Sequence, residues 1–411
     1  MKISFREIDG NSPGYWGLLG VLVLVVIAGL LSALQMEHYG HIVTGMNNHI
    51  VWGMPHVFAV FLIVAASGAL NVASIASVFG KTPYKPLAPL SALLAIALLI
   101  GGLSVLLLDL GRPERLIVAM THFNFKSIFA WNIFLYTGFM AIVIVYLWTM
   151  MERRMNPYTK PAGFVAFVWR LLLTTGTGSI FGFLIARQAY DSALLAPMFI
   201  VMSFSYGLAI FTLVLMTACR GTSRPLGDDI LSRLARLQAI FIAGALYFVA
   251  VHHLTNLYFT RRHGVERFLL LEGGIHTLLF WAGQVLVGGV LPLAILYHPR
   301  WGRSRPLIAA AAGMVVAGGL AQMYVTIIGG QAYPLELFPG MQTSSSFFDG
   351  VVHRYLPSLP EVLLGLAGVA IAGIIVALAV KLLRFLPENL ADGTTGMAGA
   401  AGADVAAVKA G

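Results

Sequence analysis

Charge is scarce in this sequence. Only 10% of the 411 residues are Asp, Glu, Lys or Arg, against 58% hydrophobic. Soluble domains carry roughly 25% charged residues, so this composition excludes an ordinary soluble domain. Cysteine is scarcer still: Cys219 is the single one. That rules out a Cys-x-x-Cys pair, a c-type haem attachment motif and a set of four thiolates for an intrinsic iron–sulfur cluster. Any redox role must therefore use a diffusible or partner-held cofactor, and Cys219 reads as a small apolar filler at the end of a span. The short alternating segments of a membrane barrel are missing as well. The apolar runs instead last about 20 residues, as around Val21 to Leu34, which is helix length for a bilayer core of roughly 30 Å. The first run lacks a small-residue cleavage site and is long for a signal peptide, so it reads as an uncleaved helix.

What is present is an all-α integral membrane pattern of about ten transmembrane helices: 15–36, 51–79, 87–108, 127–151, 163–186, 192–218, 237–260, 273–297, 307–328 and 362–383. Residues 1–14 precede the membrane domain (15–385), and residues 386–411 form an Ala/Gly-rich tail expected to be disordered. The net charge of +9 does not indicate nucleic acid, because the basic residues sit in short loops between spans. With ten spans, both termini and the even-numbered loops share one side. That side holds seventeen Lys and Arg, the other eight, with Arg170 left inside a span. The asymmetry predicts cytoplasmic termini in a bacterial inner membrane. Ten of the eleven histidines fall toward the outer half, His298 being the exception. Histidine titrates near neutral pH, so this clustering points to proton chemistry at that face.

Four constellations stand out, each with a bland reading beside the functional one. Asn47-Asn48-His49-Ile50-Val51-Trp52-Gly53-Met54-Pro55-His56 leads into span 2. Trp52 suits an interface anchor, and the Asn and His side chains could bind a quinone carbonyl. Capping and interfacial polarity explain them equally well. Asp109-Leu110-Gly111-Arg112-Pro113-Glu114-Arg115 follows span 3. A carboxylate at the hydrocarbon edge is costly when unpaired, and Arg112 or Arg115 is its natural partner; a turn-and-clamp role is the alternative. Glu272 and His276 lie four apart at the start of span 8, hence on one helical face, and make a candidate proton relay; a helix-start acid beside an unrelated His is the alternative. The adjacent His252 and His253 point about 100° apart on a helix, so at most one faces a given site. A b haem would need a second ligand such as His276, a possible but less favoured arrangement. Gln331, ending span 9 after Gly329-Gly330, is a weaker candidate.

In this order the motifs resemble the NrfD/polysulfide reductase membrane-subunit family. The resemblance runs from about residue 45 to 385. It rests on Asn47, His49, Trp52 and Gly53, on the fairly specific Asp109-Leu110-Gly111-Arg112-Pro113, and on Ser192-Ala193-Leu194-Leu195-Ala196-Pro197 and Ile328-Gly329-Gly330-Gln331. Within the family, ten spans and the phrase from Asn48 to His56 look most like the DsrP branch of sulfur-metabolising complexes. The resemblance implies two four-helix bundles plus a peripheral helix at each end of the chain. It also implies menaquinone or ubiquinone bound near the outer face, and electron exchange with a periplasmic ferredoxin-like iron–sulfur subunit, with a multihaem cytochrome c and further membrane subunits as additional partners. On that reading His49 donates to a quinone oxygen, Asn48, Trp52 and His56 orient the head group, Asp109 moves protons while held by Arg112, and Glu272 and His276 connect the site to water. His56 and the His252-His253 pair depart from the family pattern. A secondary transporter is the competing class, disfavoured because the mid-span regions are almost free of charge.

Overall fold

The computed structural model describes residues 4–335, 338, 341 and 350–392. Ten helices are long and apolar enough to cross a membrane: span 1 (Pro13–Tyr39), span 2 (Met54–Ser77), span 3 (Thr82–Leu108), span 4 (Ile128–Met151), span 5 (Arg153–Gly182), span 6 (Leu195–Gly221), span 7 (Asp228–Tyr258), span 8 (Ile275–Tyr297), span 9 (Arg305–Ala332) and span 10 (Leu359–Leu382). The protein is an all-α integral membrane protein, as the sequence predicts. Each helix follows from its composition: a bilayer offers backbone groups no partners, so a long apolar run must satisfy them within itself.

Spans 2 to 5 pack around one another as a first bundle and spans 6 to 9 as a second, joined mainly through spans 2 and 6. Span 10 lies against spans 2 and 3, and span 1 against span 10. Small residues permit the closest approaches. At the bundle junction a methyl group on Gly207 would overlap the backbone nitrogen of Ala69, and one on Gly68 the carbonyl of Ser203. Where lipid removes the hydrophobic drive between helices, such close packing supplies much of the association energy.

Arg170 is the one basic residue the sequence leaves within a span, and it is 3% exposed. Its guanidinium donates to the Ser67 carbonyl at 3.2 Å and to Asn71 Oδ1, and it lies over the rings of Phe167 and Phe204 at 5.1 and 5.0 Å. Span 2 is interrupted at Leu70, between helical segments Met54–Ala69 and Asn71–Ser77. The backbone and amide groups around this interruption take the place of a counter-ion.

The first and last described segments share one side. Phe5–Arg6 pairs antiparallel with Leu386–Pro387. Leu390 is buried against the loop between spans 6 and 7, and the Asp392 carboxylate accepts the backbone N–H groups of Asp228 and Asp229 at the start of span 7. Residues 386–392, expected in the disordered tail, are therefore ordered, held by backbone pairing and by a carboxylate at a helix N-terminus. The remainder of that tail lies outside the described residues. Span 7 also begins well before the residue 237 expected from hydropathy, because its first turns are amphipathic, burying Ile230, Leu231, Leu234 and Ala235 while Asp228, Asp229, Arg233 and Arg236 stay exposed.

Candidate functional site

At the end of the bundle opposite the termini, the loop after span 1 folds across the mouths of spans 2, 3, 9 and 10. Four side chains fix it there, Gln331, Glu361 and Tyr355 buried and Arg187 half-buried. Gln331, 1% exposed, accepts the backbone N–H groups of Val51 and Trp52 through Oε1, both at 3.0 Å, and donates through Nε2 to the Trp52 carbonyl at 3.0 Å. Arg187 ties the same region together by donating to the carbonyls of Gln331 (2.9 Å) and His49 (2.8 Å). Glu361, fully buried at the start of span 10, accepts the backbone N–H groups of Gly45 and Ser358 at 2.8 Å and the Tyr355 hydroxyl at 2.6 Å. Tyr355 in turn accepts the Met54 N–H at 2.7 Å. Burial, then the adjoining Glu361, raises the Tyr355 phenol, so it stays a donor. This frame over-determines the backbone from Gly45 to Met54 and delivers Trp52 and His56 to a set position.

Asp109 ends span 3 and its side chain is 2% exposed. Two imidazoles approach its carboxylate. His56 Nδ1 stands 3.0 Å from Oδ2; His41 Nε2 stands 3.7 Å from Oδ1 and 3.1 Å from the Asp109 backbone oxygen. The His56 approach is close but not an aligned hydrogen bond, for neither carboxylate oxygen, nor His56 Nδ1, has a well-directed hydrogen-bond partner among the described protein groups. These buried atoms retain donor and acceptor capacity for a substrate hydroxyl or carbonyl. The Trp52 ring lies at 26° to the His56 ring, 6.1 Å away, and meets Phe129 and Phe181 edge-on. An aromatic plane beside a carboxylate–imidazole pair suits a flat, polar-ended ring.

Asp109 and His41 lie just outside the spans. Burial alone would raise the Asp109 carboxyl, but the two imidazoles outweigh it and hold it below the usual carboxylate range. The Asp109 carboxylate raises His41 against the opposing effect of burial. A lowered acid adds stability above its ordinary range, lost as pH falls through its folded value. A raised imidazole adds stability below its ordinary value, lost as pH rises through its folded one. The pair is thus intact across the window between the two folded values, which is wider than the ordinary values of the two groups would give.

Several expected contacts do not form. Arg112 is exposed and makes no ion pair with Asp109. Gly111, at φ +67°, turns the chain, and a guanidinium keeps its hydration by staying in water. Glu272 and His276 are not on one continuous helix. Gly274, at φ +58°, breaks it, leaving Glu272 paired with Arg267 at 2.6 Å on the surface. His276 is buried apart from Glu272, its ring 5.7 Å from Tyr324 and 5.6 Å from Phe268. His49 stacks on His353 with ring centroids 3.6 Å apart, and Asn48 is exposed. His253 is held by Glu266 at 2.7 Å, and Asn256 bridges Glu266 to His252.

Sequence reading missed His41 as a partner, and missed Glu361, Tyr355 and Arg187 altogether. Only Gln331 had a signal, its position closing a long apolar helix.

The sequence pattern of the family described as polysulphide reductase, NrfD, matches residues 42–334. The chain is 30% identical to the Hdr-like menaquinol oxidoreductase integral membrane subunit of Archaeoglobus fulgidus, over 95% of this chain and 99% of that one. It is 26% identical to a putative dimethyl sulfoxide reductase membrane subunit of Halobacterium salinarum, over 90% and 91%. It is 23% identical to one of the polysulfide reductase chains of Wolinella succinogenes, over 70% and 96%. With ten membrane-crossing helices and a pattern match over most of its length, the chain belongs to the polysulphide reductase NrfD family.

Proposed function

We propose that the chain is the quinone-handling membrane subunit of a multi-subunit oxidoreductase complex, with its site at Asp109, His56, His41 and Trp52. The observation that carries this reading is the buried Asp109 carboxylate, set between two imidazoles beside Trp52 at the end of a span. The relatives' names support it: one is a menaquinol oxidoreductase membrane subunit, and others belong to dimethyl sulfoxide and polysulfide reductases. Narrower kinship with the DsrP branch rests on the phrase from Asn48 to His56 and belongs to the same proposal.

Oxidising a quinol releases two electrons and two protons. Asp109 accepts one proton at a carboxylate oxygen and His56 accepts the other at a ring nitrogen, while Trp52 supports the ring. His41 holds Asp109 ionised until the proton arrives. His49 and Asn48 line the rim instead of the centre, and Arg112, Glu272 and His276 have no part in the proton path. Electrons pass to a ferredoxin-like iron–sulfur partner docked on this face, with a multihaem cytochrome c further along. For quinone reduction each step runs in reverse. The favoured side is the outer face of the cytoplasmic membrane, with both termini in the cytoplasm; an alkaline phosphatase fused after Gly411 that is active in the periplasm would contradict that placement.

The pH profile of quinol oxidation by the assembled complex tests the site. In His41→Gln one of the two imidazoles that hold Asp109 down is gone, so the Asp109 pKa rises. The acid limb of the profile is expected to move to higher pH, with turnover near its optimum largely retained. An acid limb that stays in place would detach Asp109 and His41 from the reaction.

A further inference from the structure

A cavity of about 410 Å³ opens at the opposite end of the bundle, on the side that carries both termini, between the end of span 6, the loop that follows it and the start of span 9. Its walls combine aliphatic groups, among them Met216, Leu226 and Ala309, with the three arginines Arg220, Arg224 and Arg305. The charges are unevenly compensated. Arg305 is paired with Asp228 at 2.8 Å. Arg224 spends its N–H groups on backbone carbonyls, those of Arg6 (3.0 Å), Glu7 (2.8 Å), Leu386 (3.0 Å) and Pro387 (3.4 Å), which satisfy its hydrogen bonds but not its charge. Arg220 is exposed at the last turn of span 6. Among the described residues neither Arg220 nor Arg224 forms an ion pair.

We infer that this cavity is a binding site for an anionic phospholipid, whose phosphodiester is hydrogen-bonded by Arg220 and drawn by the uncompensated charge of Arg224, and whose acyl chains lie along the aliphatic wall. Three features converge on that ligand. Guanidinium groups match phosphate oxygens in geometry and charge. The arginines stand where apolar helices meet water, the depth of a lipid headgroup. The lining joins the arginines to the apolar side chains of Met216 in span 6, Leu226 in the loop and Pro306 and Ala309 in span 9, which suits a molecule with a hydrocarbon tail rather than a free ion. A lipid seated here would also brace the junction at which Arg224 gathers both ends of the chain.

Native mass spectrometry of the purified complex provides the test, using vesicle-derived samples of phosphatidylcholine alone or mixed with phosphatidylglycerol. Arg220→Gln is the informative variant, because among the described residues the Arg220 side chain makes no hydrogen bond or ion pair. Phosphatidylglycerol is expected to survive a detergent wash in preference to phosphatidylcholine. In Arg220→Gln its apparent affinity should fall about fivefold, the value of one arginine at a lipid surface. Equal retention of the two lipids, or retention unchanged in Arg220→Gln, overturns the assignment. Displacement of phosphatidylglycerol by millimolar inorganic phosphate alone would make the cavity a phosphate site and overturn it too.

Discussion

Asp109→Asn is expected to assemble into the complex at near wild-type abundance and to lower quinol oxidation by about 100- to 10,000-fold, the usual worth of one positioned acid–base group. Asn keeps the shape and can still lie between His41 and His56, so packing at the end of span 3 is largely preserved. What it loses is the charge and the ability to take a proton. A carboxylate 2% exposed at the membrane boundary carries a desolvation cost that the two imidazoles outweigh. Its replacement by an amide gives up that attraction and the desolvation cost together, so the fold should lose little stability. The separation between stability and turnover is the diagnostic: a structural Asp109 would lose abundance and activity together, and an idle one would lose neither. Wild-type turnover in a normally assembled Asp109→Asn complex would remove the carboxylate from the chemistry. The measurement is quinol-dependent electron transfer normalised to complex content.

Glu361→Ala should act in the opposite way, through assembly. Glu361 is fully buried and its two oxygens receive three hydrogen bonds, from Gly45, Ser358 and Tyr355. Removing the side chain strands all three donors, at roughly 1–3 kcal/mol each and not additively. It also releases the loop that carries Trp52 and leads into the helix start at His56, because Tyr355 no longer has the partner that fixes it against Met54. Complex abundance is expected to fall several-fold, and quinone affinity of the remainder to weaken. Glu361→Gln should recover most of the abundance, since its amide oxygen can accept the Gly45 and Ser358 N–H groups while its NH₂ meets the Tyr355 oxygen. Equal abundance of wild type and Glu361→Ala, read by immunoblot of solubilised membranes, would show that the loop is held by other contacts.

The helices were readable because a bilayer enforces one pattern, a run of about 20 apolar residues per crossing, and little else competes with it. The site was less readable because its contacts are long-range. The cost of burying Asp109 is visible in the sequence; its partner is not. Arg112 was the natural choice by adjacency, whereas the imidazoles that reach the carboxylate come from the loop and helix start two spans back, 68 residues away in the case of His41. The i,i+4 reading of Glu272 and His276 assumed an unbroken helix, and Gly273-Gly274 breaks it. Glu361 follows Ser358-Leu359-Pro360, the ordinary start of a helix, and nothing in that local pattern announces that its oxygens also hold a loop more than 300 residues earlier in the chain. Gln331 carried a faint signal, yet its role as a clamp on Val51 and Trp52 depends on tertiary approach alone.

Photoaffinity labelling of the purified complex with an azido-quinone, followed by peptide mapping, tests the placement of the quinone most directly. Label on the peptides carrying Trp52 and His56 or Asp109, suppressed by excess unlabelled quinone and lost in His56→Ala, is the expected result. Competable label confined to the second bundle, around His252, His253 and His276, with none on the loop from Gly45 to His56, would contradict it.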